Sequence, residues 1–299
     1  MLILHMALCL LAMLMLSFVA HAEGNSAKSG NFVVQVQPGD WGDARSGDIQ
    51  TVLQSVAATF LPYFPQHASD RIEVSRSRTG PQVLAAKSQD GAYRVMLDVS
   101  DTRWDQFTYQ FGHELCHVFT NFEHRDFGAA AAPRDQHWFE EALCESMSLL
   151  ALERVASSWE QSPPHAEWRA YAENFRQYAR RLQSQAHRHL PAQASFANWY
   201  YANRDALETN PYLREKNELV ADVLLPLLEQ TPGGLEATGY MNLDRAGRSG
   251  SFRDYLESWQ KCCPSRYEEI VARLMTLFER TESLDTVAAT AMNPERPLN

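Results

Sequence analysis

Residues 111–119 read Phe-Gly-His-Glu-Leu-Cys-His-Val-Phe and hold the pattern His113-Glu114-x-x-His117. On an α-helix, positions i and i+4 lie one turn apart on one face, so two imidazoles there can converge on a single Zn²⁺. Glu114 stands one position past the first histidine. Its carboxylate can reach water beside the ion rather than the ion itself. That grouping suits metal-assisted hydrolysis: zinc polarises a carbonyl and acidifies water, and Glu114 takes the proton and returns it to the leaving group. The plain alternative is a pair of surface histidines on an amphipathic helix.

A catalytic zinc site takes three protein ligands and keeps one position open. Three groups downstream could supply the third. An extended histidine motif would need glycine at 120 and histidine at 123, but the chain has Thr120 and Glu123, and His124 is one residue out of register. His137 is possible but has no supporting context. Residues 138–145 read Trp-Phe-Glu-Glu-Ala-Leu-Cys-Glu and place Glu141 and Glu145 one helical turn apart. Glu141 can bind the metal. Glu145 can accept the outer N–H of a ligand histidine and so fix its tautomer.

Together these motifs resemble the gluzincin metallopeptidases, the thermolysin-like and aminopeptidase N-like enzymes, over roughly residues 72–155. Trp138, Glu141 and Glu145 match the second family motif; His113, Glu114 and His117 match the first. The resemblance implies a zincin-like α+β fold, one Zn²⁺ per chain held by His113, His117 and Glu141, and a peptide or protein substrate. It also implies that Glu114 is the general base and that Glu145 supports a ligand from behind. The strand Tyr93–Val99 would be the substrate-aligning edge, and Tyr200, Tyr201 or Tyr212 would supply the oxyanion donor. Because the ligand helices of gluzincins pack together, Cys116 and Cys144 would either form a disulfide that staples the site or stay as two small buried thiols. Glu140 stands where the family has Asn, and a solvated helix surface is its expected place. The Gly-x-Met-Glu-Asn motif that grips a free N-terminus is missing, which argues against a standard aminopeptidase. Two other readings compete: a non-catalytic zinc-binding or interaction protein on a zincin scaffold, and a zinc hydrolase of a non-peptide bond.

Composition narrows the setting. With 27 Lys+Arg against 37 Asp+Glu the net charge is −10, and no positive field would draw in nucleic acid. At 45% hydrophobic and 21% charged residues, the chain is expected to fold around a core. Leu2–Ala20 is almost wholly apolar, and Ala20-His21-Ala22 offers a small-x-small cleavage pattern. Residues 1–22 therefore read as a signal peptide, with an uncleaved anchor helix as the alternative. Export to the periplasm or beyond follows, with no stable membrane insertion after cleavage. Of 5 cysteines, Cys9 leaves with the signal. Cys262-Cys263 could bridge to each other, pair between chains or stay reduced. Oligomeric state leaves no mark.

The elements that must position these residues follow from periodicity. Strands are expected at Phe32–Val36, Arg71–Val74 and Tyr93–Val99, and a helix at Asp48–Phe60 that ends before Pro62 and Pro65. The His-Glu-x-x-His helix should run from Arg103 to Phe122 with a Thr102/Asp105 capping box. Further helices are expected over Gln136–Ala156, His165–His189, Pro211–Gln230 with a kink at Pro226, Ser251–Lys261 with a Ser251/Asp254 capping box, and Ser265–Arg280. Gly128–Ala132 and Gly247–Gly250 read as loops. His187 and His189, near Arg180, Arg181 and Arg188, read as a solvated helix end, with a metal or anion patch as the alternative. The sum is an α+β chain: signal peptide 1–22, an α/β part 23–125 carrying the zinc-motif helix, a helical part 126–283 completing the same catalytic unit, and a loose tail 284–299.

Overall fold

The computed structural model describes residues 31–124, 136–244 and 250–279. The expectations for the signal peptide, the tail and Gly128–Ala132 fall outside them, as does most of Gly247–Gly250. A small four-stranded sheet comes first and a mainly helical region follows, so the architecture is α+β. The strands are β1 (Val33–Val36), β2 (Arg71–Arg76), β3 (Gln82–Val83) and β4 (Tyr93–Leu97), in the order β1-β2-β4-β3. β1, β2 and β4 run parallel, and β3 pairs antiparallel with β4 through Gln82↔Met96 and Val83↔Val95.

Alternation decides which face of the sheet is buried. Val34 and Val36, Ile72 and Val74, and Tyr93, Val95 and Leu97 all point inward. The crossover from β1 to β2 is helix α1 (Ser46–Phe60), whose Ile49, Val52, Leu53, Val56 and Phe60 form a buried stripe with helical spacing. Two short 3₁₀ turns follow it, Leu61–Tyr63 with Pro62 in second place and Pro65–His67 opened by Pro65.

α2 (Trp104–Phe119) carries the His-Glu-x-x-His motif. No capping box starts it: Asp105 Oδ1 instead accepts from the Gln106 N–H at 2.9 Å and lies 3.2 Å from the Tyr171 hydroxyl. α3 (His137–Gln161) is the central helix and is buried on nearly every side through its first five turns. Its polar residues Glu140, Glu145, Ser146 and Ser148 are buried too. The two serines return their hydroxyls to the carbonyls of Ala142 and Cys144, the residues four back. Gly112 lets α2 and α3 meet closely beside His113, because a Cβ there would stand 2.8 Å from the Ala151 Cβ.

The expected single helix over 165–189 is broken. A 3₁₀ turn Ala166–Tyr171 leads into α4 (Ala172–Gln183), and a second turn, Ala186–Arg188, folds the chain inward. α5 (Phe196–Thr209) has no counterpart among the expected helices; its start is capped by Ser195, which accepts from the Asn198 N–H. α6 (Arg214–Gln230) contains Pro226. The one-turn α7 (Gly234–Thr238), then α8 (Phe252–Cys262) and α9 (Glu268–Phe278), complete the described residues. The Ser251/Asp254 capping box at α8 is present in both directions. One hydrophobic cluster runs from Val34 to Phe278 and joins the sheet to the helices. Within it, Trp138 and Phe139 pack on Phe252 and Phe278, anchoring the first turn of α3 by its face away from the cleft. Among the described residues no helix is long and apolar enough to cross a membrane.

Candidate metal centre

Where α2 and the first turns of α3 lie against each other, three side chains converge. His113 Nε2 is 3.3 Å from Glu141 Oε2, and His117 Nε2 is 3.6 Å from Glu141 Oε1. One donor atom from each of His113, His117 and Glu141 lies within 4.8 Å of the other two, a spacing that could hold a metal ion. Among the described residues His124, on the turn after α2, is not in this group.

The outer nitrogen of His117 tests whether the group is arranged for a cation. His117 Nδ1 is 2.7 Å from Glu140 Oε1. With the proton on Nδ1, that nitrogen donates to the carboxylate and Nε2 keeps its lone pair for a metal. Glu140 is thus not at a solvated surface: it is 1% exposed. Its other oxygen accepts from Asn242 Nδ2 at 2.8 Å, and the same amide reaches the Thr120 carbonyl at 2.8 Å. A bond between Cys116 and Cys144 joins α2 to α3 at this level, with Cys144 Sγ 3.6 Å from His117 Nδ1. The donor set and its backing fit a bound cation.

Glu145 is placed differently from its expected role. Its Oε2 lies 3.9 Å from His113 Nδ1, too far for a hydrogen bond. The Tyr109 hydroxyl donates to Glu145 Oε1 through a short hydrogen bond, and Arg188 Nη2 reaches the same oxygen at 2.6 Å. Arg188 was expected at a solvated helix end; it is 2% exposed because the 186–188 turn carries it inward. It also meets Glu218 at 3.3 Å and Asp222 at 3.1 Å. Burial opposes the charge on Arg188, but Glu145 and Glu218 outweigh it and hold the pKa above its ordinary value. Burial also pushes the Tyr109 pKa up, reinforced by the Glu145 charge, so the phenol remains a donor.

The converging carboxylates demand a positive partner. Burial works against a charge on His113, yet its hydrogen bond to Glu141 and the charges of Glu114, Glu141 and Glu145 push its pKa up to about 9. Burial likewise opposes ionisation of Glu141, but His117, His113 and His137 hold its carboxyl well below the usual range. Glu114 is 3% exposed. Burial raises its pKa, His113 and His117 pull it down, and the balance stays above the ordinary value. A carboxylate raised in this way is better matched to accepting a proton near neutrality.

These groups line a cleft of about 700 Å³. One wall is residues 81–85, including β3, so the edge beside the motif is β3 and not Tyr93–Val99. β4 lies inside the sheet, between β2 and β3. Two residues are too few to show alternation, which hid β3 from the periodicity. His137 and Tyr212 also line the cleft, and their rings meet edge-on at 5.2 Å. His137 Nε2 approaches Glu141 Oε1 to 2.7 Å. Of the three tyrosines considered as oxyanion donors, only Tyr212 lines this cleft. Tyr200 is buried against Trp138, Phe252 and Phe278, and with Tyr201 it borders a separate cavity. Cys262 and Cys263 are both free thiols. No known family model matches the sequence, and no curated protein matches it either.

Proposed function

We propose that this chain is an exported zinc-dependent peptidase built on the gluzincin plan. One observation carries the reading: two histidines and Glu141 converge at the floor of a cleft, with Glu114 buried beside them and an antiparallel sheet edge as one wall. His113, His117 and Glu141 would hold the ion. Two imidazoles and one carboxylate suit zinc and leave room for a reacting group. When bound, zinc supplies Lewis acidity at the scissile carbonyl and makes the attacking water more acidic.

The chain's own groups do the rest. β3 presents backbone groups along which an extended peptide can lie as an added strand. Glu114 takes the proton of the attacking water and passes it to the leaving amine, a role that contributes about 10²–10⁴-fold. Tyr212 and His137 line the same cleft and are the candidate donors to the carbonyl oxygen as it becomes negative. Glu140 and Asn242 keep His117 in one tautomer. The Cys116–Cys144 bond supports export, since such bonds persist in oxidising compartments.

The test is digestion of a diverse peptide mixture by the zinc-loaded protein, read by mass spectrometry, with Glu114→Gln alongside. Cuts made by the unaltered protein and lost in Glu114→Gln are expected. Full activity in Glu114→Gln would remove the mechanism. Stoichiometric zinc binding with no peptide cut would favour a binding protein or a hydrolase of another bond.

A further inference from the structure

Arg214 is the one Lys or Arg among the described residues that line the cleft. It opens α6 two residues after Tyr212. Its Nε is 2.7 Å from Glu218 Oε1, and Glu218 is only 3% exposed. Neither terminal nitrogen of the guanidinium has a partner among the described residues. The side chain is 75% exposed and tethered by its inner nitrogen at the border of the cleft, which leaves the outer pair of N–H groups open to a ligand as an end-on fork.

The carboxylates nearby do not use up that fork. Glu145 takes Tyr109 and Arg188, and Glu218 takes His187 and Arg188 as well as Arg214 Nε. Burial opposes the Glu218 charge, but Arg214, Arg188 and His187 hold its carboxyl below the usual range, so it stays an anionic anchor. A planar fork with two free, roughly parallel donors matches one ligand group above others, a carboxylate accepting through both oxygens. Tyr109, Tyr178, Gln106 and Gln110 line the same cleft and supply neutral polar and aromatic surface.

We propose that Arg214 is a specificity-determining residue that selects peptides carrying a carboxylate, from either an acidic side chain or a free C-terminus. The proposal deepens the peptidase reading and rests on it for the substrate's being a peptide. Because binding can be measured without turnover, the two can fail separately. The zinc-loaded Glu114→Gln protein is titrated by calorimetry with one N-acetylated hexapeptide in four forms: Glu or Gln at an inner position, and free acid or amide at the end. One acidic form should bind roughly 10- to 100-fold more tightly than its neutral counterpart, the range for a charge-assisted pair. Loss of preference on amidation assigns the C-terminus; loss on Glu-to-Gln exchange assigns the side chain.

Adding Arg214→Gln should level the two forms. Arg214→Lys should retain part of the preference, since it keeps the charge and loses the fork. Arg214→Glu should favour the neutral form. Circular dichroism and zinc content check that each variant is folded and loaded. Equal affinities in the Arg214 protein, no binding of the acidic forms, or a preference that survives Arg214→Gln would overturn the proposal. Cleavage of the same peptides by the protein with Glu114 intact reports separately on hydrolysis.

Discussion

His113 and His117 sit one turn apart on the same helix, yet their surroundings are built in two ways. His117 is braced by contact: Glu140 at 2.7 Å, Asn242 behind it, and a covalent bond between Cys116 and Cys144. Among the described residues none braces the outer nitrogen of His113 so directly. It faces Glu145 at 3.9 Å, and Glu145 belongs to a buried charge cluster centred on Arg188. The first arrangement sets a proton's position through one short bond. The second sets a field, through several charges that must balance. A hydrogen-bonded brace should therefore show up in metal affinity, and a charge cluster chiefly in folding stability.

The largest expected effect breaks the cluster. Arg188→Met leaves Glu145, Glu218 and Asp222 without their shared cation, and removing one partner of a buried ion pair costs about 3–5 kcal/mol. Urea unfolding should show the loss, and adding Glu145→Gln should restore part of it. Close behind comes the staple. Replacing Cys116 and Cys144 by Ala frees a loop with a sequence separation of 28, which the chain-entropy relation values at about 3–4 kcal/mol. Thermal unfolding with zinc held fixed measures it; an unchanged midpoint would mean that helix packing alone holds α2 to α3.

Smaller effects should separate the two braces. Glu140→Ala should weaken zinc binding about 10- to 100-fold, the usual cost of losing a carboxylate behind a ligand histidine. Glu145→Gln should weaken it by less, because its carboxylate does not reach hydrogen-bonding distance of His113. Chelator competition gives both numbers, and equal losses would erase the contrast. The smallest effect is in pH. In the zinc-stripped protein His113 has its pKa raised to about 9. The protonated form's contribution to stability is complete below the unfolded value, about 6.5, and is lost as pH rises through 9. That proton competes with the metal, so zinc affinity should rise with pH across this window and level off above it. A flat profile between pH 6.5 and 9 would show that His113 is already neutral.

The same contrast separates what was legible in the chain from what was not. His113, Glu114, His117 and Glu141 obey local helical spacing, so a one-dimensional pattern brings them to the right faces before any packing is known. The parallel strands and α1 carry their own periodicities in the same way. Glu140 was misplaced because an acidic residue's default is solvent, and its partners His117 and Asn242, distant in sequence, show otherwise. Arg188 was hidden for a related reason. Its neighbours Arg180, Arg181 and His189 read as a charged surface, and a 3₁₀ turn of three residues, Ala186–Arg188, reverses the side that one of them faces. Tyr200 and Tyr212 lie close in sequence, yet one is core and one is cleft. Local pattern ranks them equally, and the tertiary packing separates them.

The bond between Cys116 and Cys144 has one more consequence. It joins the two helices that bear the ligands without involving any of the ligating atoms. The spacing of His113, His117 and Glu141 is therefore set by the chain itself, so an ion bound there would not have to gather its own ligands. Metal exchange at such a site would be a local event, with the helices keeping their spacing. On the proposed reading, folding and loading would therefore not have to happen in a fixed order.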